Sequence, residues 1–565
     1  QSRSSAASDV YKRQSLDRVA LWPDVQGCEP LKKGVAIITQ SGNIGLNMTM
    51  QSIGLPIAYM FTVGNQTNTS ISDIIHAMLD DDRVNAIGIH IEGINDIEAF
   101  DDATRRALHK KIPIVAIKSG RTQSSAKIAL SHTSSMSGSD ELFSSFFERQ
   151  GIARVETVPE FLETLKLLSI IGPISHNGVA SMSCSGGEAG MMADLIDGLD
   201  IAFKSLDEDH KRRVRATLNE YVEVDNPLDY HTFIWGNLEK TSACFKEMIS
   251  GGFAATMLLL DWPKTDVGQQ QDWDKTFLAL CNAIKDSGEK AIVLSSMADC
   301  MPKRIIEQCH DYGIVPMIGL DSCLKSLNHS YNIGLSFKRS ELPPLKVSRL
   351  LRGESNNKLL TEYEAKSLIS KYGISVPEGS IVSSYDEAHK VAEKLIYPVT
   401  VKISSETLAH KTELNAVRIN IRNSEMLEAA CKDLLKIGPL LLVEKMIQGS
   451  IAELIIGMNH DPIFGKFIVI GSGGVLVELL QDSCSLLLPL KRKDILDRLS
   501  KLKVYPILQG YRGKSGGDIE AIIDSVLSIA ELILTNDIAE LDINPLLVMD
   551  SGQGVVAVDA LIKLN

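Results

Sequence analysis

In "TQSGNIG", Ser41 and Gly42 separate a β-branched run from a helical pattern that begins near Asn43. Backbone N–H groups and the positive end of a helix dipole face whatever sits in such a turn, so Ser41, Gly42 and Asn43 are candidate phosphate ligands. Ser185, Gly186 and Gly187 in "SCSGGEAG" repeat the arrangement ahead of a second helix. One strand-to-helix turn says little, because every doubly wound domain has several. Two aimed at a common point could hold one phosphoryl group from opposite sides. His132 lies in "SGRTQSSAKIALSHTSSMSGSD", a run of small hydroxyl-bearing residues that would let its backbone approach a phosphate closely. A neutral imidazole is a competent nucleophile toward phosphorus near pH 7, although a lone loop histidine is more often solvated. Glu92, after the strand-like "IGIHI", could accept the second imidazole N–H and fix its tautomer, or could simply end a strand in solvent.

These residues need a scaffold of strands with helices between them. Buried-strand candidates recur at "KKGVAIITQ", "NAIGIHIEGI", "IPIVAIKSGR", "GVASMSCS", "ATMLLLDWP", "KAIVLSSMA" and "GIVPMIGL", separated by helix-length amphipathic stretches. Such alternation predicts α/β architecture with parallel sheets covered on both faces. The pattern restarts at "GPISHNGVA", which divides it into two sheets over 31–168 and 169–340 rather than one long one. A polar, Pro-containing linker at 341–357 follows. From 358 to 565 the order changes to helix, then "YPVTVKISS", "AVRINI", "PLLLVEKMI", "AELIIGMN", "KFIVIGSGGVLVELL" and a last pair, "AELDINPLLVM" and "GVVAVDALI". Hairpin-like spacing there predicts an α+β domain with antiparallel sheet. Residues 1–30 read as a disordered or artefactual tail plus a remnant of an earlier domain.

Composition narrows the function. The 565 residues suffice for three or four domains at roughly 150 each. Lys plus Arg number 58 against 71 Asp plus Glu, so a net charge of −13 disfavours nucleic acid as a partner. Nine cysteines without a C-x-x-C pair fit a reducing cytoplasm better than a disulfide framework or a zinc site. Apolar runs such as "SLLLPL" end far short of the roughly 20 residues a bilayer needs, so no membrane span is expected.

The segments "ITQSGNIG", "IEGI", "KSGR", "SHTSSMSGSD", "NPLDY", "VKISSETLAHKTELNAV", "EKMIQG", "GSGGVLVELLQD", "YRG" and "ELDINPL" occur in one fixed order. In that order the chain resembles the NDP-forming acyl-CoA synthetases, the fused relatives of succinyl-CoA synthetase that include ADP-forming acetate–CoA ligase. The resemblance runs from about Lys32 to the end. It implies two flavodoxin-like ligase domains and an ATP-grasp domain, working on a small carboxylic acid, CoA and ATP/ADP with Mg²⁺, in a homodimer.

Carried over by residue, the resemblance makes His132 the phosphorylated histidine, Glu92 its orienting carboxylate, and the two glycine-rich turns its phosphate cradle. "LAHKTEL" resembles the family's His-Lys-Ser/Thr motif, which makes His410 a relay histidine beside the nucleotide. The family continues with Asp and two glycines where this chain has Glu413, Leu414 and Asn415, so backbone freedom near His410 is lower. Lys402 would meet nucleotide phosphates, the backbone between Glu444 and Met446 would offer a donor and an acceptor to adenine, and Gly473 and Gly474 would let a loop close over the phosphates. Asn544 and Asp559 supply the hard oxygen donors that Mg²⁺ takes.

Members with this arrangement begin with a Rossmann-like CoA-binding domain, of which only "LDRVALWPDVQGCEPLKKG" resembles a remnant, so the native protein is expected to carry more. The acid is not legible: Phe233, Trp235 and Trp262 could line a pocket, but core packing explains them better. Two other functions stay open, a degenerate nucleotide- or acyl-CoA-binding regulatory scaffold and a synthetase that goes on to cleave its acyl-CoA.

Overall fold

The computed structural model describes residues 11–14, 19–20, 26–29, 31–122, 124, 139–285, 287–339, 342–347, 358–405, 416–473 and 482–565. The chain forms two compact units, Gln1–Ser137 with Phe147–Leu342, and Gly138–Phe146 with Pro343–Asn565.

The first unit holds two parallel sheets. Strands β1 (Tyr11–Gln14), β2 (Val19–Ala20), β3 (Gly34–Thr39), β4 (Ile57–Thr62), β5 (Val84–Ile91), β6 (Ile114–Lys118) and β7 (Ala153–Val155) lie in the order β2-β1-β4-β3-β5-β6-β7. The stretch β4-β3-β5-β6-β7 is parallel and has the flavodoxin order. β3, "GVAIIT", is buried at every position, as a central parallel strand covered on both faces must be. Tyr11–Gln14, read from sequence as part of a disordered or artefactual tail, instead pairs antiparallel with β4, occupying the hydrogen-bonding edge that β4 would otherwise leave open.

The second sheet comprises β8 (Gly178–Ser183), β9 (Ala202–Phe203), β10 (Leu228–Asp229), β11 (Thr256–Leu259), β12 (Ala291–Ser295) and β13 (Val315–Ile318). Its order is β10-β8-β11-β12-β13, with β9 also on β8, and every pairing is parallel. Helix Val158–Ile171 bonds to both sheets' surroundings. Its Phe161 and Leu165 join the first sheet's core while Leu167 joins the second's. Its fully buried Lys166 donates to Glu163 Oε1 (2.9 Å) and to Ile53 O (2.9 Å), and Glu163 accepts the Ile318 N–H (3.2 Å). A buried ammonium is tolerable only with such partners.

The second unit is antiparallel. β14 (Lys358–Leu359), β19 (Ala452–Asp461), β20 (Gly465–Ser472), β21 (Ser483–Leu487), β22 (Ile538–Val548), β23 (Val555–Ala557) and β24 (Leu561–Leu564) form one sheet, ordered β14-β24-β22-β19-β20-β21 with β23 on β22. β15 (Gly379–Val382), β16 (Val399–Ile403), β17 (Val417–Ile421) and β18 (Leu441–Lys445) form a smaller one, ordered β15-β18-β16-β17. Each has its own apolar core, the larger around Leu454, Ile468 and Ile529, the smaller around Val401, Leu427 and Val443. Among the described residues no helix is long and apolar enough to cross a membrane.

Candidate active site

Parallel strands end side by side, so the carboxyl ends of β3, β5 and β6 place the residues that follow them on one sheet edge. After β3, Ser41 is the extended N-cap of α1 (Gly42–Thr49), and its Oγ accepts the Ile44 N–H at 3.4 Å. The Gly42 and Asn43 N–H groups have no bond among the described residues and stand at the positive helix end. Gly45 lets α1 lie close, since a Cβ there would come within 2.9 Å of Thr39 Cγ2. Glu92 follows β5 and is half-buried. Its N–H and that of Gly93 both donate to Gln40 Oε1 (2.5 and 3.0 Å), and its carbonyl accepts the Lys118 ammonium (3.0 Å). The structure thus brings Ser41, Gly42, Asn43 and Glu92 to one edge. His132 lies outside the described residues, as do His410 and Gly474.

Sequence reasoning missed His90, the penultimate residue of β5, which is 3% exposed. Its Nδ1 lies 3.0 Å from Thr39 Oγ1 and its Nε2 3.0 Å from Ser119 Oγ. Burial, with the Lys118 ammonium adding to it, lowers its pKa to about 4, so the ring is neutral at physiological pH. Between pH 6.5 and about 4 the unfolded chain takes up a proton here that the folded chain refuses, so stability falls as pH drops through that window. From pH 7 to pH 5 the loss is about 2 kcal/mol. Denaturant titration at both pH values should show a drop larger by about this amount in the wild type than in His90→Gln, which keeps the contributions of His310 and His460, also lowered by burial. An equal drop in both would exclude His90 as its source.

Ser185 is the N-cap of α2 (Gly186–Leu195) and makes no side-chain cap, so the Gly186 and Gly187 N–H groups have no bond among the described residues. Three carboxylates attend this turn, a feature no local pattern announced. Burial, then Asp261 and Asp229, raise the pKa of Glu188 in the first helical turn. Asp261 is held by the Ser296 N–H (2.9 Å) and the Ser295 and Ser296 hydroxyls. Nearby negative charge would oppose an anion at this turn. Trp262 is a core residue, 1% exposed with its indole N–H on Asp274 (3.0 Å), Trp235 is half-buried against that core, edge-on to Trp273 (5.3 Å), and Phe233 is exposed.

In the second unit, Lys402 of β16 and Glu444 of β18 sit on adjacent strands. Lys402 Nζ donates to Glu362 Oε1 (2.6 Å) and Val558 O (2.6 Å) and lies 3.4 Å from Glu444 Oε2. Lys366, one turn after Glu362 on helix α3 (Glu362–Lys371), donates to Glu362 (2.7 Å) and to both oxygens of Glu444 (2.7 and 2.8 Å). Burial pulls Lys402 down, but the carboxylates of Glu362, Glu444 and Asp559 more than offset it and raise its pKa. Burial and the neighbouring Lys402 lower that of Lys366. The expected phosphate contact of Lys402 is therefore already taken by protein oxygens, and the Glu444 side chain is committed to Lys366. In the segment between Glu444 and Met446, expected to face adenine, the Lys445 N–H donates to Glu378 O (2.9 Å) and the Met446 N–H to Pro398 O (3.1 Å).

β22 pairs with β23 from Leu546 and with β24 up to Asp542, which leaves Asn544 opposite the loop that carries Asp559, closed by Val558 N–H to Pro545 O (3.2 Å). Their hard oxygens suit Mg²⁺. Among the described residues no group of three or more His, Cys, Asp or Glu side chains is placed to hold a metal. Gly473 follows β20, and a Cβ there would come within 2.6 Å of the Leu454 backbone, so its glycine is needed for close packing on β19.

Two family models match the chain, the succinyl-CoA ligase-like flavodoxin domain over residues 32–168 and the ATP-grasp domain over residues 352–564. The ADP-forming acetate–CoA ligase of Methanocaldococcus jannaschii is 29% identical over 557 residues, covering 94% of this chain and 78% of that protein. The ADP-forming 4-hydroxybutyrate–CoA ligase of Nitrosopumilus maritimus is 26% identical, covering 95% and 78%. The beta subunit of ADP-forming acetate–CoA ligase II from Pyrococcus furiosus is 37% identical over 218 residues, covering 36% of this chain and 92% of that subunit. Matched flavodoxin-like and ATP-grasp modules, joined in one chain that aligns along nearly its whole length with these ligases, place it: the chain belongs to the NDP-forming acyl-CoA synthetase family, of the ADP-forming acetate–CoA ligase type.

Proposed function

We propose that the protein joins a carboxylic acid to CoA at the expense of ATP, giving ADP and phosphate, through phosphohistidine and acyl phosphate intermediates. The observation that carries this reading is the meeting at one sheet edge of a helix start, whose Gly42 and Asn43 N–H groups have no bond among the described residues, and of Glu92, at the end of the adjacent strand. A carboxylate is a poor acylating agent because oxide would have to leave. The γ-phosphoryl of ATP therefore passes, by way of His410, to the imidazole nitrogen of His132. The acid's oxygen takes it from that nitrogen, and the CoA thiolate then forms the C–S bond as phosphate leaves. Each step is reversible.

In this reading Glu92 holds the His132 tautomer, and α1 stabilises the phosphoryl group. Ser185, Gly186 and Gly187 assist more weakly because of their carboxylate neighbours. Asn544 and Asp559 would hold Mg²⁺, which supplies charge neutralisation for the nucleotide phosphates. In the same reading the nucleotide binds beside Lys402, Glu444 and Met446, and Gly473 and Gly474 would let a loop close over its phosphates. This reading takes the domains as 31–168, 169–340 and 358–565, in a cytoplasmic homodimer.

A second reading, a regulatory scaffold without turnover, draws on two observations: Glu413, Leu414 and Asn415 replace the flexible residues after His410, and Lys402 is occupied by protein oxygens. The test is a panel of acids incubated with ATP, Mg²⁺ and CoA, read as thioester and phosphate. The proposal expects equal thioester and phosphate with at least one acid. ATP-dependent labelling of the protein without thioester on any acid favours the scaffold, and a released small product favours cleavage of the acyl-CoA.

A further inference from the structure

The hydroxyl hydrogen bonds around His90 run in one direction. Thr39 Oγ1 accepts the Ser41 N–H at 3.0 Å and lies 3.2 Å from Ser41 O, to which it donates its proton. It can then only accept from the ring, so His90 Nδ1 carries the proton, and Nε2 accepts from the Ser119 hydroxyl. Ser119 is itself fixed, its N–H on Ile91 O (2.8 Å) and its carbonyl on the Lys118 ammonium. One ring therefore spans the ends of three adjacent strands. On one side is the Ser41 turn that opens α1. On the other is the Ser119–Gly120 turn, where the backbone adopts φ +81° at Gly120, twelve residues before His132.

We propose that His90 is a positioning residue for phosphoryl transfer: it locks the α1 turn that receives the phosphoryl group to the root of the segment that carries His132. This rests on the phosphohistidine reading above. Side chains that merely fill the space could not do the same, since the link needs a donor toward Thr39 and an acceptor toward Ser119 at fixed separation. A glutamine amide supplies both, and a phenyl ring neither. The Lys118 ammonium acts on the ring through space, while its Nζ donates to the Glu92 and Ser119 carbonyls.

The test compares the wild type with His90→Phe and His90→Gln in two measurements. Single-turnover transfer from γ-labelled ATP should slow by about 10- to 100-fold in His90→Phe, the scale lost when reacting groups are misplaced. The KM for ATP should stay within about twofold, because the nucleotide binds elsewhere. His90→Gln should recover to within about fivefold of wild type. Hydrogen exchange should rise in His90→Phe over both Thr39–Gly45 and Lys118–Arg121, and return in His90→Gln. A His90→Phe rate within twofold of wild type, or an equal loss in both variants, overturns the role, and so does unchanged exchange in either peptide. A wild-type chain that takes no label while exchange shows the coupling would sink the phosphohistidine reading and the transfer role with it. Labelling without exchange coupling would sink the His90 link alone.

Discussion

His132→Asn should abolish acyl-CoA synthesis, lowering turnover by at least roughly a thousandfold, the scale on which enzymes fail when a covalent nucleophile is removed. Asparagine keeps the polarity and approximate reach of the side chain but has no lone pair basic enough to attack phosphorus, so the fold should be unchanged. His410→Asn should behave differently. It should block loading from ATP yet leave His132 open to phosphorylation from the other side, by acyl phosphate formed from acyl-CoA and phosphate. Supplying labelled phosphate with an acyl-CoA would therefore label His410→Asn and not His132→Asn. Equal loss in both directions for His410→Asn would remove the relay and leave a single histidine.

The second large effect concerns stability. Glu444→Leu should destabilise the second unit by about 3–5 kcal/mol, because it strands the Lys366 ammonium in the interior without the carboxylate that it meets through both oxygens. For a unit of this size that is a fall in Tm of roughly 10 °C. Glu444 and Lys366 are each 3% exposed, so water cannot compensate. The double change Lys366→Met with Glu444→Leu removes both charges and leaves Lys402 its bonds to Glu362 and Val558 O. It should be more stable than either single variant, since paired burial of charge is replaced by hydrocarbon. Scanning calorimetry of the three variants checks this. A double variant no better than Glu444→Leu would mean that packing, not charge, is lost.

Much of the scaffold was legible because its strands are short apolar runs set off by glycine. β3, β5, β6 and β8 each end in a polar or glycine-rich turn, and the hairpin spacing of β16 to β20 separated the last domain from the first two. β4 was not legible: "IAYMFT" carries few β-branched residues and follows Pro56, so periodicity could not tell it from a helical segment. Tyr11–Gln14 looked irregular because its pairing is supplied by β4, forty-odd residues away, and not by its own composition. In the site, Ser41, Gly42 and Glu92 could be found because each follows a strand directly.

His90 could not, since it alternates within a buried strand like any core residue, and its value comes from Thr39 and Ser119 on the neighbouring strands. Lys118 in "KSGR" was quoted as a motif, but its bond to the Glu92 carbonyl depends on β6 lying beside β5. Glu362 and Lys366 had a usable signal, a charged pair four residues apart beside the buried Ala365 and Ile369. Lys402 was expected from the resemblance to meet nucleotide phosphates, and nothing in "VKISS" reveals that Glu362 and Val558 reach it from elsewhere in the unit.

The central claim is that a phosphoryl group rests on His132 between nucleotide and acid. Incubating the wild-type protein with γ-labelled ATP and Mg²⁺, then mapping the label by peptide mass spectrometry, tests it directly. The account predicts an acid-labile, base-stable phosphoryl group on the peptide containing His132, discharged when a substrate acid and CoA are added. Label on a serine or an aspartate, or label that survives in His132→Asn with the same stability, would contradict it.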